Sequence, residues 1–299
     1  MHPELATKIR KRATSLVSKK FTAGLSRKAA ASKGMITSRG TKRDFTDALC
    51  VYLSWRASNS LIPEQQDNLS QIKAFLEERS AVVQQATLNQ SRNALQLAFS
   101  LKLPIVRSQI KTYRTSRSYS PEQIAQVIEH QNEKNALSTV IAFCSGVRAH
   151  ELATIQRTKE SEASTHRDWD SRRFAGMINI SIYIVTGKGG LRRQIALPEA
   201  LATALEDRRL EVPERVIDRE IFYDRQYDIG FGKAFSQSFT QASNAALGFS
   251  HGAHGLRHSY AKSRTKTLRG LDFSLEQAQL IVSQELGHFR PNITIAYYR

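Results

Sequence analysis

One polar stretch constrains this chain more than any other feature. From Arg107 to Arg117 the sequence carries four basic residues, no acidic one and neither helical nor strand periodicity. Such a stretch reads as an extended linker, so two bodies are expected rather than one. Charge divides at the same place. Of 44 Lys and Arg against 27 Asp and Glu, 21 and 7 respectively precede Ser118, so most of the +17 formal charge belongs to the first body. A chain this basic favours a polyanionic partner. Other classes are excluded. No run approaches the roughly 18 apolar residues of a membrane helix. Met1 to Arg12 contains Lys8, Arg10, Lys11 and Arg12 but no apolar stretch, so a secretory signal is not expected. Cys50 and Cys144 are the only cysteines, which excludes a disulfide scaffold or cysteine zinc site. A reducing cytoplasm fits, nucleoid-associated if the host is bacterial.

Before the linker the pattern is helical. Asp44 to Trp55, Pro63 to Glu78 and Gln84 to Leu101 each place apolar residues at helical spacing, giving a small bundle over residues 44–106. Residues 1–43 hold twelve Lys or Arg and one acid, Glu4. Their composition fits a solvated tail, a phosphate-contacting arm or a transit peptide, and is taken here as a basic N-terminal arm or tail. After the linker (107–117) a second domain spans 118–299. Ser120, Pro121 and Gln123 open a helix with a capping box. Met177 to Val185 alternates as a strand, Thr186 to Gly190 turns, and Leu191 to Leu197 returns. Helices are expected to resume from Glu199, with Phe231, Phe235 and Phe239 as a buried stripe. The fold expected is mainly α with a small antiparallel β-hairpin or sheet in the second domain.

Four segments of that domain carry chemistry: Cys144 to Leu152 with Arg148 and Glu151, the hairpin tip at Lys188, His251 to Ala261, and Glu285 to Arg299. Taken singly each has a bland reading. Arg148 with Glu151 is an ordinary ion pair, and the Gly-rich tip an ordinary turn. His254 and His258 enclose Arg257, whose charge would repel a cation, so no metal is expected. Together the set matches metal-free nucleophilic attack on a phosphodiester. Guanidinium forks suit the non-bridging oxygens of the transition state. A lysine can protonate the leaving oxygen, and a tyrosine can serve as covalent nucleophile. His254 and Arg257, three apart, project from one helix face.

The sequence resembles the tyrosine site-specific recombinases, the phage-integrase family. Their boxes recur in order at Ser145 to Leu152 (Ser145 replacing the usual Thr), Gly187 to Gly189, His254 to Ala261 and Leu286 to Tyr297. The resemblance covers about 118–299, and residues 44–106 stand where the family has its core-binding domain. It implies a catalytic set of Arg148, Lys188, His254, Arg257 and His288, with Glu151 as support. The nucleophile lies nine residues after His288, with Thr294 three before it, which selects Tyr297 and leaves Tyr298 as the alternative. It further implies a C-shaped clamp on double-stranded DNA bearing specific recombination sites, and a 3′-phosphotyrosyl intermediate needing neither metal nor ATP. Self-association to a tetramer at synapsis follows, with room for accessory DNA-bending or directionality factors. A type IB topoisomerase uses the same chemistry, and a catalytically silent DNA-binding relative is the other rival. Residues 156–175 are expected to be an expanded loop and 264–275 to hold extra length. Because so little sequence follows Tyr298, either the gate for cleavage is built from other segments, such as 264–275, or assembly contacts differ.

Overall fold

The computed structural model describes residues 3–25, 27–59, 68–111 and 116–290. The chain divides into two compact units, Met1–Tyr113 and Arg114–Arg299. The first is all helix: α1 (Pro3–Ser18), α2 (Arg27–Ser32), α3 (Arg39–Ser58), α4 (Leu69–Ser80) and α5 (Gln85–Phe99). Leu49, Tyr52 and Leu53 of α3 pack with Ile72, Phe75 and Leu76 of α4 and with Leu88 and Leu95 of α5. The Tyr52 and Phe75 rings meet edge to face at 5.2 Å. Asn68 caps α4 through its side chain, and Pro63, expected at that helix's start, lies outside the described residues.

The N-terminal stretch departs from the expected solvated tail. Ile9, Ala13 and Val17, four apart, are buried in the same core, and α1 packs on α3. Only Ile9 and Val17 of these three are bulky, and Leu5 and Leu16 are only partly buried beside them, which is why the surrounding basic residues hide the stripe. Among the described residues, no helix is long and apolar enough to cross a membrane.

The second unit begins with α6 (Pro121–Glu129), whose Ser120–Gln123 capping box is formed, and α7 (Glu133–Ser145). A short 3₁₀ turn, Glu151–Thr154, leads into β1 (Gln156–Arg157). β1, β2 (Ile180–Thr186) and β3 (Arg192–Pro198) form an antiparallel sheet in that order, with Tyr183 opposite Ile195. Then come α8 (Glu199–Glu206), β4 (Arg209–Asp218), β5 (Ile221–Tyr227), α9 (Gly232–Leu247), α10 (His254–Gly270) and α11 (Leu275–Glu285). The sheet and α6 to α9 share one core, in which Phe235 and Phe239 are buried and Phe231 packs partly against them. The unit is thus mainly α with small antiparallel sheets.

One expectation is corrected. Helix does not run on from Glu199: β4 and β5 form a hairpin over 209–227. Its turn residues, Arg219 and Glu220, have φ of 49° and 66°, the paired left-handed geometry normally signalled by Asn-Gly. Arg-Glu gives no such signal, and the strands bury too little to show alternation. The extra length expected at 264–275 is largely helical. α10 continues to Gly270, and Arg264 and Leu268 are buried on its inner face.

Candidate active site

Three segments separated in sequence are tied together around Arg257. The first begins where α7 ends. Gly146 sits at φ 64°, and a Cβ there would stand 2.6 Å from a Tyr260 ring carbon and 2.7 Å from a Leu286 methyl, so only glycine fits. The chain turns there and presents Arg148 ahead of the 3₁₀ turn. The Glu151 carboxylate, fully buried, accepts from the Arg148 backbone N–H at 2.8 Å and from its Nη1 at 2.6 Å. It also pairs with Arg193 at 2.9 Å. Burial alone would raise the Glu151 pKa, but the charges of Arg193, Arg148 and Arg257 outweigh it and hold the value at about 2. Glu151 is therefore a permanent anion that orients Arg148. Gly187, at the base of the hairpin tip, packs so closely that a Cβ would lie 2.9 Å from Glu151 Oε1.

The second segment is the start of α10. Arg257, with no exposed surface, donates to the carbonyls of Gly146 and Leu286. These bonds to two different segments fix the plane of its guanidinium. His254 lies one turn earlier on the same helix. Gly255 between them lets the chain at Arg117–Tyr119 pass close by, because a Cβ would meet the Arg117 carbonyl at 2.6 Å. Burial first, then the charges of Arg257, Arg117 and Arg148, lower the His254 pKa to about 4.

The third segment follows α11. Gly287, at φ 72°, turns the chain so that the His288 N–H donates to the Ser283 carbonyl at 2.7 Å. His288 Nε2 then lies 3.0 Å from Arg257 Nη2. A guanidinium only donates, so Nε2 is the acceptor and the ring proton sits on Nδ1. Burial, reinforced by Arg257, Arg148 and Arg193, agrees with a neutral ring by lowering the His288 pKa to about 3. Arg148 with Glu151, and Arg257 with His288, thus form two hydrogen-bonded pairs within reach of each other's charge. Lys188 stands apart from them, exposed on the hairpin tip in the short turn Lys188–Gly190. Thr294, Tyr297 and Tyr298 lie outside the described residues. His150, in the same box as Arg148, is half-buried, and burial lowers its pKa. Among the described residues no group of three His, Cys, Asp or Glu could hold a metal ion.

The sequence reading missed what holds these pairs up. Arg193, 1% exposed, donates from Nη2 to Glu151 and from Nε to the Glu285 carbonyl at 3.0 Å, joining β3 to two of the three segments. Buried Glu285 takes Arg264 Nη2 at 2.9 Å, Arg264 Nε at 3.1 Å, the Tyr260 hydroxyl at 2.9 Å and the Phe174 N–H at 2.9 Å. A signal for Arg193 was present: it shares strand parity with the inward-facing Ile195 and Leu197.

The depressed histidines carry a stability consequence. Their folded pKa values lie below the ordinary 6.5, so the unfolded chain binds protons first. Their stabilising contribution is full above pH 6.5 and is lost as pH falls toward 4, with Glu151 adding a loss between 4.5 and about 2. The thermal midpoint should therefore be lower at about pH 5 than at about pH 7.5. An unchanged or higher midpoint at the acidic pH would contradict these burials.

No protein-family model and no curated protein sequence matches the chain. Solved structures do. The chain is similar to the XerH site-specific recombinase bound to difH substrate in a pre-cleavage complex, with 16% identity and a TM-score of 0.55 over 98% of this chain and 91% of that one. It is similar also to XerH bound to palindromic difH substrate in a post-cleavage complex, with 16% identity and a TM-score of 0.54 over 98% and 90%. At that identity the likeness is one of fold.

Proposed function

We propose that the chain is a tyrosine site-specific recombinase, cleaving and rejoining double-stranded DNA through a 3′-phosphotyrosyl intermediate. The observation that supports this reading is the cluster around Arg257, which bonds His288 and shares its charge environment with Arg148, itself held by Glu151, on a fold similar to that of XerH. Arg148 and Arg257 bind the non-bridging oxygens of the scissile phosphate, where negative charge grows in the transition state. Carbonyl bonds fix the plane of Arg257 and Glu151 holds Arg148, so both donors are oriented before the chemistry, once DNA binding uncovers the buried Arg257. The Tyr297 oxygen attacks phosphorus. Neutral His254 takes the phenolic proton, and His288 donates from its ring to a phosphate oxygen. As the bond from phosphorus to the 5′-oxygen breaks, Lys188 protonates that oxygen. A 5′-hydroxyl from a second duplex reverses the step and releases the tyrosine. One phosphodiester is exchanged for another, so neither metal nor ATP enters the balance. Exchange between duplexes calls for two protomers on each, a tetramer at synapsis on specific sites, with accessory DNA-bending or directionality factors as further partners.

The test uses a duplex enriched from a random-sequence library by the protein itself, nicked within the enriched sequence and incubated with EDTA and no ATP. A denaturant-resistant protein–DNA adduct is expected. Binding without any adduct points instead to a silent DNA-binding protein, and supercoil relaxation by monomers without paired sites points to a topoisomerase.

A further inference from the structure

Residues 158–179, between β1 and β2, play no part in the chemistry proposed above, yet they are tied down along their length. The Ser164 N–H donates to the Arg192 carbonyl at 2.9 Å, and its Oγ accepts from the Arg192 N–H at 3.0 Å. The Asp170 N–H donates to Gln284 Oε1 at 2.6 Å, and the Ala175 carbonyl accepts from Arg264 at 3.2 Å. Arg173 donates to Gln194 Oε1 at 2.9 Å while its guanidinium lies 4.5 Å from the Trp169 ring. What the sequence presents as an expanded loop is a strap pinned to β3, α10 and the end of α11.

The strap reaches the residue that follows His288. Trp169 and Phe289 have ring centroids 4.8 Å apart, and the Arg167 guanidinium lies 5.1 Å from the Phe289 centroid. The Trp169 indole N–H donates to the Ser164 carbonyl at 2.9 Å, which fixes its ring. Phe289 has a φ of 53°, in the left-handed region that bulky side chains rarely occupy. Such a conformation persists where the surroundings over-determine it, and the aromatic and cation contacts do so here. Two residues on stands Pro291, and a proline steers the residue before it away from helical backbone. A direction set at Phe289 is therefore carried through Arg290.

We propose that Trp169, aided by Arg167, is a positioning residue for the cleavage reaction: by clasping Phe289 it fixes where the chain leaves His288 toward the segment bearing Tyr297. The inference rests on the phosphotyrosyl reading. In this proposal Trp169 is not itself a reacting group. It acts through the backbone, where a misplacement of about 1 Å costs on the order of a hundredfold in rate.

The experiment compares full-length wild type, Trp169→Ala, Trp169→Phe, Phe289→Ala and the double alanine variant on the nicked, library-enriched duplex. Affinity is read by mobility shift and chemistry by the rate of adduct formation. Trp169→Ala should bind within about threefold of wild type and form adduct about tenfold or more slowly. Trp169→Phe, which keeps a ring, should recover most of the rate. Phe289→Ala should add little to Trp169→Ala, since both remove one contact. The proposal is overturned by a wild-type rate in Trp169→Ala, or by affinity and rate falling together without rescue in Trp169→Phe, the pattern of a purely structural residue. A wild-type protein that binds the duplex and forms no adduct removes the phosphotyrosyl reading, and the positioning role with it.

Discussion

Arg257→Lys is expected to slow covalent attachment to nicked DNA by about 10²–10³-fold, the size of effect seen when one fixed donor to a developing anion is lost. The argument is geometric. The Arg257 guanidinium donates to Gly146 and Leu286 and faces His288 Nε2, so one planar fork spans both neighbouring segments. A lysine keeps the charge but is a single point with a flexible stem, and cannot hold two carbonyls and present a planar face together. DNA affinity should change far less, because the basic surface that attracts phosphates is untouched. A parallel loss of affinity and rate would mean that Arg257 serves binding or folding, not the transition state.

Glu151→Gln should destabilise the second unit by about 3–5 kcal/mol, the range found when one partner of a buried ion pair is removed. Glu151 is fully buried, and Arg193 beside it is 1% exposed, so the substitution leaves Arg193 without its anion. Urea unfolding of the two variants reads the effect. Because the cost arises from an uncompensated charge, adding Arg193→Met to Glu151→Gln should recover about half of it, whereas independent sites would show summed losses. Loss below about 1 kcal/mol for Glu151→Gln would contradict a buried, charge-balanced centre.

What was legible in the sequence follows local chemistry. Ser120, Pro121 and Gln123 announce α6 because capping is decided within four residues, and Ile180 to Thr186 announces β2 because Ile recurs at every second position from 180 to 184 in a β-branched stretch. The spacing of Arg148, His254, Arg257 and His288 in compact boxes made the candidate site readable as residue types. Its support was not. Arg193 and Glu285 become partners of the site only after β3 and α11 pack, and a charged residue gives no sign of burial except by strand parity. The helix α1 was hidden because Ile9, Ala13 and Val17 make a stripe too narrow to stand out against Lys8, Arg10, Lys11 and Arg12. The β4–β5 hairpin was hidden because Arg219 and Glu220 adopt left-handed backbone without glycine or asparagine. Residues 158–179 look like surplus length until their contacts with Gln284, Glu285 and Phe289 are seen.

Peptide mapping of the covalent product tests the central claim most directly. The protein is trapped on nicked duplex in EDTA, digested with protease and nuclease, and the nucleotide-bearing peptide is sequenced by mass spectrometry. The account predicts a 3′-phosphate joined to Tyr297, an adduct abolished in Tyr297→Phe and preserved in Tyr298→Phe. Attachment at Tyr298 or at any other side chain, or strand cleavage that leaves no attached peptide, would contradict it.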